Sequence, residues 1–199
     1  MNTSKGILII IAAILLLLGV NGCSSYNRFV DSELKADERW ANVESQYQRR
    51  LDLIANLVKT VQGAADFERS TLQAVVDARS KAGSVNLSGQ DLNNPEMMQQ
   101  FETAQAGLSS ALSRLLVVVE RYPDLKATQN FRDLQAQLEG TENRIQVARA
   151  DYNNAVKLYN QQIRRFPGKF WAGMFGFEPR HMFQSQEGAE RSPEVEFNF

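Results

Sequence analysis

Residues 6 to 20 read GILIIIAAILLLLGV, a run without a polar side chain, and Cys23, the single cysteine of the chain, follows it. No soluble domain of this size can hide such a run, so the segment places the chain at a membrane. Crossing a hydrocarbon core takes roughly 20 apolar residues, whereas the h-region of an export signal runs to about 15. Residues 6 to 20 lie at that boundary and leave two readings. In the first, Asn21 to Tyr26 enter the interface, Tyr26 sits at headgroup depth, and the helix spans uncleaved. In the second, Val20-Asn21-Gly22-Cys23 is a lipoprotein box, cut before Cys23, whose thiol carries lipid. Gly22 suits that cleavage; Asn21 and the absence of Leu at position 20 suit it poorly, and the uncleaved helix is preferred.

Orientation is contested in the same way. Lys5 and the terminal amine precede the run, while Arg28, Lys35 and Arg39 follow it, and a count of basic residues favours a cytoplasmic domain. A short n-region with one lysine followed by an apolar stretch favours export. We expect the soluble part to be exported.

Lys and Arg number 22 against 23 Asp and Glu, for a net charge of −1. That balance offers no basic field to hold nucleic acid. Proline occurs only at 95, 123, 167, 179 and 193, which leaves long stretches of good helix formers. Residues 26 to 183 suffice for one domain with a real core. The chain thus divides into an anchor over 1–25, a helical domain over 26–183 and an acidic tail over 184–199, the last lacking periodicity and expected to be disordered.

The apolar spacing sets the fold class. Trp40, Val43, Tyr47, Leu51, Ile54, Val58 and Val61 recur at intervals of three and four, which keeps one helix face apolar. A bend is expected near Gly63, after which Phe67, Leu72, Val75 and Val76 continue the stripe. Residues 83 to 95, GSVNLSGQDLNNP, read as a loop. Asn94 before Pro95 is a helix start, with a capping side chain and proline in the first turn. Phe101, Ala104, Leu108, Leu112, Leu115 and Val119 line the next helix, which ends at Tyr122-Pro123. Phe131, Leu134, Leu138, Ile145, Ala148, Tyr152, Val156, Tyr159 and Ile163 then repeat at near-heptad intervals. Such stripes bury only against one another, so the expectation is all-α: an N-terminal membrane helix and a long antiparallel bundle of three to four helices around one core.

Tyr26-Asn27, WANVESQYQRRLDLIANLVKTVQGAADFE at 40 to 68, VVDAR at 75 to 79, the stretch from Glu120 to Asn153 that opens ERYPDLKATQNF, and VKLYN at 156 to 160 resemble the LemA family of bacterial membrane-anchored proteins over roughly residues 24 to 177. Ala55 departs from the pattern, standing where relatives often have proline. The resemblance implies an N-terminal membrane segment and a helical bundle, and it implies no particular reaction.

Nothing in the chain assembles into a catalytic set. His181 is the only histidine, so a site needing one histidine on each of two helices cannot form within one chain. The pairs Asp66 with Glu68 and Glu139 with Glu142 fall on sequence that reads as solvent-facing helix. Nucleophile-elbow, zinc-protease and phosphate-loop motifs are missing. We therefore expect a non-enzymatic protein without cofactor or metal. Arg49-Arg50 with Asp52 reads as a tie between neighbouring helices.

Two features carry the functional expectation. Tyr-Asn occurs at 26-27, 152-153 and 159-160, and the last two pairs share a helix face. Tyr152, Asn153, Tyr159 and Asn160 either pack into the bundle with their hydroxyls at its edge or present a face to a partner helix; the packing role is favoured. The segment RRFPGKFWAGMFGFEPRHMF, residues 164 to 183, gathers aromatic surface beside Arg164, Arg165 and Lys169. Phe170, Trp171, Phe175 and Phe177 either enter a membrane interface or close over the bundle end as a lid, with the lid favoured. The function expected is a membrane-anchored scaffold of the cell envelope that recruits or organises other membrane proteins. The alternative is a lipid-interacting structural protein acting through the aromatic segment. Its partners would be the bilayer and an envelope protein not specified by the sequence.

Overall fold

The computed structural model describes residues 3–63 and 67–184, and every regular element among them is helical. Helix α1 spans Thr3–Gln62, 60 residues without a break, about 90 Å at the standard rise. Its first third is the exposed apolar run, and the remainder is the backbone of the bundle. The boundary drawn at 25/26 is therefore chemical only, because the helix passes straight through it.

Helix α1 ends at Gln62, where the Gly63 N–H closes on the Lys59 carbonyl, and a separate helix α2 runs over Arg69–Ser84. A 3₁₀ turn over Gly89–Asn93 leads to α3, Pro95–Val119. The Asn94 side chain accepts from the N–H groups of Glu96 and Met97, so the expected cap forms. A single turn α4, Pro123–Lys126, precedes α5, Gln129–Arg164, and the short α6, Gly168–Phe175.

Helices α1 and α5 run antiparallel along most of the bundle: Ser32 meets Gln162, Trp40 meets Tyr152 and Arg50 meets Glu142. The α2–α3 pair lies against them, joined by Arg79, whose Nε donates to the Leu51 carbonyl, and by Trp40, whose indole N–H donates to the Leu87 carbonyl.

The expected single core is three clusters stacked along the axis. Leu51, Ile54, Leu57, Leu108, Leu115 and Leu138 fill the far end. Trp40, Tyr47, Phe101, Ile145 and Tyr152 fill the middle. Phe29, Tyr159, Ile163 and Trp171 fill the end nearest the apolar run. Leu112 and Leu134, assigned to the core by spacing, are only partly buried, and Val76 is exposed.

A polar layer separates the first two clusters. Arg50 is buried and donates to Gln105 and Ser109 on α3 and to Glu142 on α5 at 3.1 Å. Charge cannot enter an interior without partners, and this one arginine therefore draws a hydrogen-bonding residue from each of two other helices. Glu142, read as an ordinary solvated charge, is half of that ion pair. Asp66 lies outside the described residues.

Candidate functional site

The tyrosine-asparagine pairs of α5 grip residues 178–183, an extended strap that follows α6. The Asn160 amide donates to the Arg180 carbonyl at 2.8 Å and accepts from the Arg180 N–H at 3.0 Å. Asn153 does the same for Phe183, at 3.0 and 2.8 Å. The two asparagines lie seven helical residues apart, about 10 Å, and their targets three extended residues apart, again about 10 Å. That match of pitches lets a helix imitate the edge of a sheet. The Tyr152 hydroxyl donates to the His181 carbonyl at 3.1 Å and the Tyr159 hydroxyl to the Glu178 carbonyl at 2.9 Å. These four residues face the protein's own strap, which is the packing role expected of them.

Two strap side chains penetrate the bundle. Arg180 is 3% exposed at its side chain and pairs with Asp37 at 2.6 Å and Glu33 at 3.3 Å, both on α1. Burial opposes its charge, and Asp37 and Glu33 more than restore it. Phe183 stacks on Trp40 with centroids 5.8 Å apart, and the Arg149 guanidinium covers its ring at 4.4 Å. Burial pushes the Tyr159 hydroxyl up to about 12, with Glu33 adding to the rise and Arg180 opposing it. Tyr152 is raised further by the same desolvation.

Gln184, assigned to the tail, ends this strap: its N–H donates to Glu102 and its carbonyl accepts from Arg149. The rest of the acidic tail lies outside the described residues.

The aromatic segment divides into a buried face and an exposed one. Trp171 is 9% exposed and lies with Ala172 against Phe29, Tyr159 and Ile163, which is a lid. Its ring rests on Gly22 so closely that a β-carbon there would stand 3.0 Å from the indole, so the smallest residue of the chain seats the largest. Phe175 meets Tyr26 edge to face at 5.3 Å, and Phe177 bridges Tyr26 and Phe29. Phe166, Phe170 and Met174 point away from the bundle, at 90%, 58% and 60% exposure. Gly168 permits the sharp entry into α6, since a β-carbon there would fall 2.2 Å from the Gln162 carbonyl oxygen.

Cys23 is exposed on α1, one residue beyond Gly22, with a free thiol. Among the described residues no three His, Cys, Asp or Glu side chains gather as metal ligands. A cleft of about 360 Å³ opens beside Cys23's end of the bundle, lined by Ser25, Arg28, Gln161, Gln162, Arg165 and Phe166 among others.

A long helix, apolar and long enough at its start to cross a membrane, continuing into an all-helical bundle, defines the class: a membrane-associated helical protein. The profile of the LemA family matches residues 39–197. The chain belongs to the LemA family. It is 30% identical over 183 residues to magnetosome protein MamQ 2 of Paramagnetospirillum magneticum, covering 83% of this chain and 66% of the relative. Magnetosome protein MamQ of Magnetospirillum gryphiswaldense is 26% identical over 181 residues with the same two shares. Protein LemA of Metamycoplasma hominis is 23% identical over 125 residues, 62% of this chain and 52% of that protein. The chain thus spans about two thirds of the length of the MamQ proteins it matches.

The signal for the strap lay in the Tyr-Asn repeat, but not its object. Residues 178–183 have no periodicity because their backbone is held by side chains of another element. Gln105 was missed for a different reason: it is a glutamine on the apolar face of α3, four residues after Phe101, and only the facing Arg50 and the Ala82 carbonyl explain it.

Proposed function

We propose that the protein is a non-enzymatic scaffold of the bacterial cell envelope, held at the membrane by α1 and working outside the cytoplasm to organise other membrane proteins. One observation carries this reading: the apolar run and the central helix of the bundle are a single uninterrupted helix. A bundle on a flexible tether would sample many orientations, whereas a continuous helix presents its sides at fixed heights above the bilayer. Supporting it, the strap and α6 pack on α1 and α5, and among the described residues nothing covers Val76 and Val117 on the outer side of the α2–α3 pair. A second reading, a structural protein acting on the bilayer itself, draws on the outward aromatic face of α6.

Photocrosslinking residues placed in the full chain at positions 76 and 117, and at 170 for comparison, separate the readings in cells. The scaffold predicts adducts with a small, reproducible set of envelope proteins from 76 or 117. Lipid adducts from 170 with none from the bundle would overturn it in favour of the second reading.

A further inference from the structure

We propose that α6 is an interfacial foot, its outward face seated in the acyl–headgroup boundary and its flanking cations on anionic phospholipid headgroups. This rests on α1 crossing or entering the bilayer through its apolar run.

The depth follows from α1. Trp171 of α6 touches Gly22 and Phe175 touches Tyr26, two and six residues beyond the last residue of the run, Val20. At the helical rise those contacts lie about 3 and 9 Å outside it. Surface helices bury their apolar faces about 5–10 Å into the same boundary. Docking α6 on this part of α1 therefore sets it at the depth where an amphipathic helix is stable.

The chemistry of the two faces agrees. Trp171 and Ala172 face the bundle, and Phe170 and Met174, one turn apart, face out with Phe166 beside them. Among the described residues nothing covers a phenylalanine that is 90% exposed, and such clustered apolar surface marks an interaction site. Arg164, Arg165 and Lys169 are exposed around that face, with Arg28 across the cleft from Arg165. Arg28 and Arg165 both line the cleft beside Phe166, and no acidic residue is among its lining residues, so cations predominate there in a chain whose net charge is −1. Rings backed by arginine and lysine at the end of a membrane helix suit a surface of anionic lipid.

The test uses the full chain with Cys23→Ser, reconstituted into vesicles of phosphatidylethanolamine and phosphatidylglycerol containing a lipid with a nitroxide near its headgroup. Single cysteines carrying an environment-sensitive fluorophore are placed at Leu16, Met174 and Val117. The expected result is quenching of about twofold or more at 16 and 174 and none at 117. Replacing Arg28 and Arg165 by Gln, or phosphatidylglycerol by phosphatidylcholine, should weaken the effect at 174 and leave 16 unchanged. Quenching at 16 with none at 174 overturns the foot while the anchor stands. Absence of quenching at 16 overturns both. All the substituted side chains are exposed, so the bundle itself is not put at risk.

Discussion

Asn160 holds Arg180 by both of its backbone polar groups, donating to the carbonyl and accepting from the N–H, and Asn153 repeats the arrangement on Phe183. An extended segment lying on a helix has no sheet to satisfy its peptide groups, and a buried unsatisfied group costs about 1–3 kcal/mol. Asn160→Ala should therefore destabilise the protein by about 2 kcal/mol. Hydrogen exchange should quicken at 178–183 well before it does in α1 or α5. Equal acceleration throughout the bundle would show that the strap and the helices unfold as one unit.

The tyrosines that share this work give the strap a pH limit. Tyr159 is raised to about 12 by burial, and an unfolded tyrosine titrates near 10. Because the folded state holds its proton more tightly, stability is full below about pH 10 and declines as pH rises towards the folded value. Tyr152, raised for the same reason, acts in the same direction. Denaturant midpoints measured from neutral to strongly alkaline pH should stay level and then fall. Tyr159→Phe should reduce that alkaline loss, at the expense of the bond to Glu178.

The polar layer invites a contrast between two substitutions. Arg50→Ala leaves the buried Oε1 of Gln105 without its donor and opens space beside Tyr47, over whose ring the guanidinium lies at 4.9 Å. We expect a loss of about 2–4 kcal/mol in chemical denaturation. Arg50→Met fills the space without demanding charge compensation, and Glu142, half exposed, can return to water. The methionine variant should recover at least half of the lost stability. If it proved as unstable as the alanine variant, the ion pair itself would be the stabilising feature.

Helices were legible wherever one face had to be apolar. Trp40 to Val61 and Phe131 to Ile163 gave their elements away by spacing, and Asn94-Pro95 marked the start of α3. Interactions between elements were less legible, because periodicity says which face is buried and not what lies against it. Arg50 read as a tie between helices, but Gln105, its partner, gave no sign of its role. The single expected core was split between its first two clusters for that reason, since a buried arginine needs a polar level of its own. Phe166, Phe170 and Trp171 looked alike in sequence; only the packing of α6 on Gly22 separates the inward indole from the outward phenyl rings.

Cys23 decides between the two forms of anchor. In an uncleaved chain it is a free thiol on the surface of α1, and Gly22 before it supports the Trp171 ring. In a lipoprotein the mature chain starts at Cys23, which removes Gly22 and with it part of the seat of α6. Anchoring would then rest on acyl chains, two or more of which are needed for stable attachment. We expect Cys23→Ser to leave the protein in the membrane fraction, because the run from Gly6 to Val20 is untouched. We further expect Gly22→Leu, which drives a side chain into the indole, to expose Trp171 and shift its fluorescence without releasing the protein from the membrane. Intact-mass analysis of the extracted wild-type chain reads the anchor directly: a mass that includes residues 2–22 supports the uncleaved helix. A mature N-terminus at Cys23 carrying lipid would defeat that reading, and would place the bundle outside the cytoplasm.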